Sequence, residues 1–238
     1  DHTEIFFENT RHKLGLSGML ILPEGKGPFP TAVIIHGSGT SRRDSVWYLS
    51  VAQHLRQHGI AILLPDKRGS EKSEGKWLGA SFEDLAVDTT SAIDFLKQQQ
   101  IFEYSNIGLI GMSQGGWIAP VVASRSDDVS FVVSMSGAMV TPEEQLHHEE
   151  IYNIAPYTYE FIARLLATLS TRVLMKQDFF TPTAGFDPLQ SWKDVDVPVF
   201  IALGEGDENV PVEASMQRLK ENSLDHFNIR IYPDGGHG

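Results

Sequence analysis

The 238-residue sequence contains no cysteine, so disulfide bonds, thiolate metal sites and a cysteine nucleophile are excluded. This absence leaves the compartment open, because a chain without cysteine is compatible with both the cytoplasm and the periplasm. The length suits one large domain or two small ones. A domain of this size buries roughly 70% of its unfolded surface, so it folds without disulfide or metal crosslinks.

Basic residues are few: 19 Lys and Arg stand against 31 Asp and Glu, a net charge of −12. No cluster of Lys and Arg occurs along the chain, although such a cluster is the usual sign of nucleic-acid binding. We interpret the negative charge as a self-repelling, solvated surface and predict no nucleic-acid partner.

Long apolar runs are also missing. Residues 106–124 carry no charge, but Asn106, Gln114, Pro120 and two adjacent glycines interrupt them, so we predict no membrane span. The chain opens with Asp1-His2-Thr3-Glu4, which lacks the basic and apolar segments of a signal peptide. Its first residue is not methionine, which is consistent with a processed or trimmed start.

Apolar segments alternate with helical ones along most of the chain, after an N-terminal hairpin. Strands are predicted at 4–7, 16–22, 31–36, 60–64, 106–111, 131–135, 198–203 and 227–232. Helices are predicted at 44–58, 82–99, from the turn at 111–115 to about 124, and at 212–222. Nearly continuous apolar strands separated by helices favour an α/β fold, in which helices cover both faces of a parallel sheet.

Residues 141–193 interrupt this alternation for about 50 residues. They begin with a helix-start pattern at Thr141-Pro142-Glu143-Glu144 and contain an amphipathic piece at Tyr159–Leu174. Ligands bind at the carboxyl edge of open α/β sheets, so we interpret the segment as a lid over that edge, the alternative being an ordinary surface excursion. The chain then divides into a core of residues 1–140 and 194–238 and a lid of residues 141–193.

The pattern G-x-S-x-G occurs once where a predicted strand meets a predicted helix, at Gly111-Met112-Ser113-Gln114-Gly115. Such a turn holds its serine above the sheet. Side chains at 111 and 115 would collide with the neighbouring strand and helix, which explains the glycines. Free N–H groups at the helix start favour negative charge near Ser113. Ser113 is therefore the candidate nucleophile.

A serine hydroxyl is a poor nucleophile at neutral pH and needs a base with an orienting acid. His237 follows the last predicted strand in a glycine-rich loop, from which its ring can reach Ser113. His226 precedes that strand and belongs at the opposite edge. His147 and His148 lie in the 141–193 segment, where a solvated helix face is favoured over a zinc site because H-E-x-x-H spacing is absent.

Asp207, just past the penultimate strand, is the candidate acid because its loop can turn the carboxylate towards His237. Glu205 and Glu208 are alternatives, more typical of exposed loop charge. Asp234 is adjacent to the histidine loop, where an aspartate more often shapes a turn.

An acyl-transfer site also needs hydrogen-bond donors for the oxyanion. One candidate is the backbone N–H of Gln114, directly after the nucleophile. The second comes from the loop after His36, where we choose the N–H of Ser38, with Gly39 as the alternative.

Four motifs together resemble those of serine esterases of the α/β-hydrolase superfamily, above all bacterial carboxylesterases and dienelactone-hydrolase-like members. They are His-Gly-Ser-Gly at 36–39, Pro-Asp-Lys-Arg-Gly at 65–69, Gly-Met-Ser-Gln-Gly-Gly at 111–116 and Gly-Glu-Gly-Asp-Glu-Asn-Val-Pro at 204–211. The resemblance implies an eight-stranded, mostly parallel sheet and a Ser–Asp–His hydrolase without a cofactor. In such relatives the turn at Asp66–Gly69 is structural, and a helix follows the catalytic histidine, whereas this sequence ends at Gly238.

We therefore expect hydrolysis of small carboxylic esters, with Ser113 as nucleophile, His237 as proton carrier and Asp207 stabilising the imidazolium. A serine peptidase or an acyltransferase on the same scaffold is an alternative, although an insertion of about 50 residues favours small substrates. A non-catalytic binding protein with a hydrolase fold is an alternative of a different class.

Overall fold

A single sheet of eight strands organises the chain in the computed structural model, which describes residues 2–237. Asp1 and the predicted chain end at Gly238 lie outside the described residues. The strands are β1 (Thr3–Asn9), β2 (Leu14–Ile21), β3 (Phe29–Ile35), β4 (Ala61–Pro65), β5 (Tyr104–Met112), β6 (Val129–Met135), β7 (Val199–Gly204) and β8 (Asn228–Tyr232).

The strand order in the sheet is β1-β2-β4-β3-β5-β6-β7-β8. Strands β3 to β8 are mutually parallel, and only β2 pairs antiparallel, with β1 on one side and β4 on the other. The predicted α/β fold with an eight-stranded, mostly parallel sheet and an N-terminal hairpin is confirmed. Because β5, β7 and β8 run in the same direction, their carboxyl ends meet at one edge.

Helices pack on both faces of this sheet. They are α1 (Val46–Gln57), α2 (Phe82–Gln98), α3 (Gly115–Ala123), α4 (Pro142–Ile154), α5 (Glu160–Leu174), α6 (Pro188–Trp192) and α7 (Val212–Glu221). Alternate residues of β3 supply two separate cores, as the two-residue period of a strand requires. Val33 and Ile35 belong to the larger core with α2 and α3, whereas Ala32 and Ile34 pack with Tyr48 of α1.

The 141–193 segment is helical and lies between β6 and β7. Helix α4 begins with a capping box, in which the Thr141 hydroxyl accepts the Glu144 N–H and the Glu144 carboxylate accepts the Thr141 N–H. This agrees with the predicted helix start. Helix α5 buries small residues, Ala163 and Ala167, and exposes its large apolar side chains, such as Phe161. Helix α5 packs beside α4, and its large apolar side chains lie outside its buried face. Within residues 2–237, none of the helices combines the length and apolar character needed to cross a bilayer.

Buried His36, directly after β3, makes the stability of the fold depend on pH. Its Nε2–H donates to the Pro65 carbonyl at 2.7 Å, its Nδ1 has no partner among the described residues, and burial lowers its pKa to about 4. In the unfolded chain the His36 ring is protonated to the imidazolium near pH 6.5, whereas in the folded chain it is protonated only near pH 4. Stability contributed above pH 6.5 is lost as the pH falls towards 4, by on the order of 3 kcal/mol.

Urea unfolding between pH 7 and pH 4 measures this contribution. Carboxylates titrate in the same range, so the comparison is between the wild type and His36→Gln, in which the loss on acidification should be smaller by about that amount. His54→Gln, at an exposed position of α1, should keep the wild-type pH dependence. Equal slopes for the wild type and His36→Gln would contradict the prediction.

Candidate active site

The turn between β5 and α3 holds Ser113 in a strained backbone conformation, with φ of +53°. A Cβ added to Gly111 would lie 2.2 Å from the Gly115 carbonyl oxygen, and one added to Gly115 would lie 2.2 Å from the Ile35 carbonyl oxygen. The predicted collisions with the helix and the neighbouring strand are therefore confirmed. The Ser113 N–H donates to the Met135 carbonyl at 2.8 Å, which ties the turn to the end of β6.

A continuous hydrogen-bonded chain joins three of the predicted site residues. The Oγ atom of Ser113 lies 2.9 Å from Nε2 of His237, and Nδ1 of His237 lies 2.9 Å from Oδ2 of Asp207. Oδ1 of Asp207 also accepts the N–H groups of Asn209 and Val210, each at 2.9 Å. Because the Asp207 carboxylate accepts a hydrogen bond from Nδ1–H, the neutral ring carries its proton on Nδ1. Nε2 is then free to accept the serine proton.

Packing between two loops brings the imidazole and the carboxylate together. The Glu205 N–H donates to the Tyr232 carbonyl at 2.9 Å, and the Gly206 N–H donates to the Gly235 carbonyl at 3.0 Å. The loops after β7 and β8 are thereby held side by side. The Asp207 side chain is fully buried, whereas 19% of the His237 side chain is exposed, so the acid is shielded from water and the base is open to a substrate.

The other acids and histidines considered in the sequence lie elsewhere. Glu205, Glu208 and Asp234 are exposed loop residues. His226 is exposed ahead of β8, where its Nδ1 lies 3.0 Å from the Ser223 carbonyl.

Unpaired backbone donors lie next to Ser113. A Cβ added to Gly37 would lie 3.2 Å from Cβ of Ser113, so the loop after β3 lies against the turn. Among residues 2–237, the N–H groups of Ser38, Gly39 and Gln114 have no protein acceptor. Ser38 and Gln114, two of the predicted oxyanion donors, line the same cavity as Ser113.

A cavity of about 90 Å³ lies between Ser113 and the helical segment after β6. Its lining includes Ser38, Gln114, Trp117, Leu146, Glu149 and Phe179. Gln145 Nε2 donates to Oε1 of Glu149 at 2.8 Å, and burial raises the pKa of the Glu149 carboxyl.

The face of α4 that carries the two histidines is partly buried, whereas the sequence favoured a solvated face. His148 lies beside the backbone of Asp207, and burial lowers its pKa. His147 Nε2 lies 3.2 Å from the Thr168 hydroxyl of α5. The sequence did not indicate this packing, because an acidic, histidine-rich helix reads as polar all round until its neighbours are known. Within the described part of the chain, no three His, Asp or Glu side chains converge as a metal site requires.

A buried ammonium lies behind the loop at residues 37–39, and the sequence did not indicate it. Nζ of Lys67 donates to the Gly37 carbonyl and, at 3.1 Å, to Oε1 of Gln114. The flanking side chains are paired elsewhere, Asp66 with Arg43 at 2.6 Å and Arg68 with Asp88 at 2.6 Å. Those two pairs agree with a structural role for the turn, whereas Lys67 points to the site. The one feature of the sequence that could have indicated a place for Lys67 near the site is its position after β4, at the carboxyl edge of the sheet.

Comparisons with known proteins give the family of the chain. The family model "Dienelactone hydrolase family" matches residues 16–156, and the model "BAAT / Acyl-CoA thioester hydrolase C terminal" matches residues 90–238. Among curated proteins, the chain is 26% identical to esterase EstD of Thermotoga maritima, over 94% of this chain and 58% of that protein. It is 24% identical to human acyl-coenzyme A thioesterase 6, over 92% of this chain and 51% of that protein. The chain thus spans little more than half the length of these relatives.

Solved structures share the fold. Esterase Pf2001 of Pyrococcus furiosus superposes with a TM-score of 0.73 at 20% identity, covering 100% of this chain and 82% of that chain. The α/β hydrolase GrgF of Penicillium sp. sh18 superposes with a TM-score of 0.75 at 17% identity, covering 100% and 91%. Since each of the two family models matches more than half of the 238 residues, the chain belongs to the α/β-hydrolase superfamily, in the group that the dienelactone hydrolase and acyl-CoA thioester hydrolase models describe.

Proposed function

We propose that the chain is a serine hydrolase that cleaves small carboxylic esters through an acyl-enzyme intermediate. The observation that carries the proposal is the chain of hydrogen bonds from Asp207 through His237 to Ser113, which ends beside unused backbone donors. A hydroxyl, a base and an oriented acid in this geometry are the components of nucleophilic acyl transfer.

In the first half of the reaction, Oγ of Ser113 forms a bond to the ester carbonyl carbon while Nε2 of His237 takes the serine proton. The carbonyl oxygen becomes an oxyanion, which accepts hydrogen bonds from the N–H groups of Gln114 and Ser38. Asp207 stabilises the imidazolium. When the C–O bond to the alcohol breaks, His237 returns the proton to the leaving oxygen, and the acyl group stays on Ser113.

In the second half, water replaces the alcohol. The water oxygen attacks the acyl carbon while His237 takes a proton from the water. His237 then gives this proton to Oγ of Ser113 when the carboxylic acid leaves. The helical segment 141–193 serves as a lid in this proposal, because Leu146, Glu149 and Phe179 from it line the cavity beside the serine. Excluding water from that side strengthens the electrostatic contacts to the oxyanion.

The cavity argues for a short acyl or alcohol group. At about 90 Å³ it is smaller than the roughly 150 Å³ engineered cavity that accommodates benzene. Its aromatic walls include Trp117 and Phe179, which contribute apolar contact area.

Thioester hydrolysis or acyl transfer is the second candidate, favoured by the acyl-CoA thioester hydrolase model, whose match includes Ser113, Asp207 and His237. The same acyl-enzyme would form. Coenzyme A, however, carries phosphates, which proteins bind through Arg and Lys. Within the described residues, no Arg or Lys lines the cavity, and Glu149 does. We therefore place simple esters first.

Three substrate types distinguish these functions. We expect p-nitrophenyl acetate to be hydrolysed, with kcat/KM at least about tenfold lower for the octanoate, because even one or two methylenes that do not fit the cavity cost roughly 1 kcal/mol or more each. Acetyl-CoA and a p-nitroanilide should be poorer substrates. A fluorophosphonate probe should label Ser113, identified by mass spectrometry of the digested protein.

Each contrary result has a defined meaning. A preference for acyl-CoA would favour the thioesterase candidate, and a preference for the anilide would favour a peptidase. Folded protein that neither turns over an ester nor reacts with the probe would indicate a non-catalytic binding protein.

A further inference from the structure

We infer that Lys67 is a positioning residue of the oxyanion hole, whose ammonium orients and polarises the peptide that donates the second hydrogen bond. The inference rests on the proposed function. It concerns a buried cation that neither the nucleophile nor the proton transfers require.

The geometry connects Lys67 to both predicted oxyanion donors. Its Nζ donates to the carbonyl oxygen of Gly37, and that carbonyl and the Ser38 N–H belong to one planar peptide unit. Its other acceptor, at 3.1 Å, is Oε1 of Gln114, the residue whose N–H is the first donor. One ammonium therefore links the backbone that carries the Ser38 N–H to the side chain of Gln114.

The burial of Lys67 is costly and is not offset by a counterion. The residue is 8% exposed, and among residues 2–237 no carboxylate forms an ion pair with it. Burying an unpaired charge is unfavourable, and a neutral side chain of similar length would fill the space at lower cost. The benefit of the charge lies in the two carbonyl dipoles that Lys67 contacts, because an ammonium interacts with them more strongly than a neutral side chain would.

The charge acts on the developing oxyanion in two ways. Donation to the Gly37 carbonyl polarises the peptide, which makes the Ser38 N–H a stronger donor. A fixed positive charge behind the donors also stabilises negative charge directly, and more so where water is excluded. Both effects increase as the oxyanion forms, so they lower the barrier with little effect on substrate binding.

The charge of Lys67 should be visible in the pH dependence of kcat, because burial lowers its pKa to about 8. The titratable neighbours of Lys67 include His36, Tyr48 and Asp66. His36 stays neutral, since its pKa is about 4, and burial raises the pKa of Tyr48. The carboxylate of Asp66 is held by Arg43 at 2.6 Å and by the Ser17 hydroxyl.

The test compares kcat and KM for an aryl ester between pH 6 and pH 10 in the wild type, Lys67→Met and Lys67→Arg. The wild type should lose kcat above about pH 8. Lys67→Met should lower kcat about 10- to 100-fold, less than the 10²- to 10³-fold of removing a donor outright, with KM within about twofold. It should also lack the alkaline loss. Lys67→Arg, which stays charged, should recover part of kcat and keep it through pH 10.

Two further variants separate an electrostatic from a structural role. Tyr48→Phe removes the hydroxyl that accepts the Gly37 N–H at 2.8 Å, on the other side of the same residue. Tyr48→Phe should lower kcat but keep the alkaline loss of kcat. If Lys67 had only a structural role, Lys67→Met would also lower kcat and keep the alkaline loss. Lys72→Met removes an exposed ammonium paired with Glu4 and should behave as the wild type.

The inference is overturned if Lys67→Met folds and retains wild-type kcat, or if its alkaline loss matches that of the wild type. Should Lys67→Met not fold, a Lys67→Gln variant that folds and retains wild-type kcat would overturn it equally, because it keeps a polar side chain but removes the charge. A wild-type protein that hydrolyses no ester and does not react with the fluorophosphonate would instead overturn the proposed function itself.

Discussion

Replacing Ser113 with alanine should lower kcat for ester hydrolysis by on the order of 10⁶-fold, the loss seen when a serine nucleophile is removed from a complete triad. The variant keeps the cavity and the backbone donors but has no oxygen to form the acyl-enzyme. KM should change little, because Oγ contributes to the transition state rather than to ground-state binding. Steady-state kinetics on p-nitrophenyl acetate, with the urea midpoint as a check on folding, measure both quantities.

A second serine provides the matched control. Ser136 follows β6 at the same edge of the sheet and shares the left-handed backbone, with φ of +50°. Its hydroxyl has no hydrogen bond to a histidine among the described residues, so Ser136→Ala should retain wild-type kcat. If Ser113→Ala kept more than about a hundredth of the activity, the nucleophile would be another group and the proposed mechanism would be wrong.

Asp207→Asn should lower kcat by about 10⁴-fold. The Asp207 side chain is fully buried and accepts three N–H groups, those of Asn209 and Val210 and that of His237. An amide has one acceptor oxygen and one NH₂ group, so it cannot accept from all of them. If the oxygen keeps the backbone donors, the NH₂ faces Nδ1 and forces the proton onto Nε2, which can then no longer accept the proton of Ser113.

The control for this prediction lies in the neighbouring loop. Asp234 is exposed three residues before His237, and Asp234→Asn should leave kcat unchanged. Kinetics on both variants, together with urea unfolding, separate loss of orientation from loss of fold. A fall of less than about tenfold in Asp207→Asn, or a large fall in Asp234→Asn, would assign the orienting role to another acid.

Features of the fold that depend on residues close along the chain could be predicted from the sequence. The apolar runs that became β3 to β8 and the glycines around Ser113 describe short-range packing, so the strand order along the chain and the sharp turn could be predicted. The capping box at Thr141 was predictable for the same reason. Asp207 and His237 were predictable as residues following strands, because parallel strands bring their carboxyl ends to one edge.

Contacts between distant segments could not be predicted in this way. The apolar pattern of α5 indicated a helix, but in the folded chain the small residues Ala163 and Ala167, rather than the large apolar ones, form its buried face. The polar pattern of α4 likewise gave no sign that Glu149 lines the cavity, since burial depends on what packs opposite.

The sequence alone determined the α/β fold, the position of the turn and which serine, aspartate and histidine are candidates for catalysis. Tertiary structure decided that these three side chains lie within hydrogen-bond distance, at 2.9 Å for each link, and that the Lys67 ammonium lies behind the loop beside them. The physical reason is range. Propensity, capping and steric fit act between residues close along the chain, whereas burial and charge depend on partners that only the folded chain brings together.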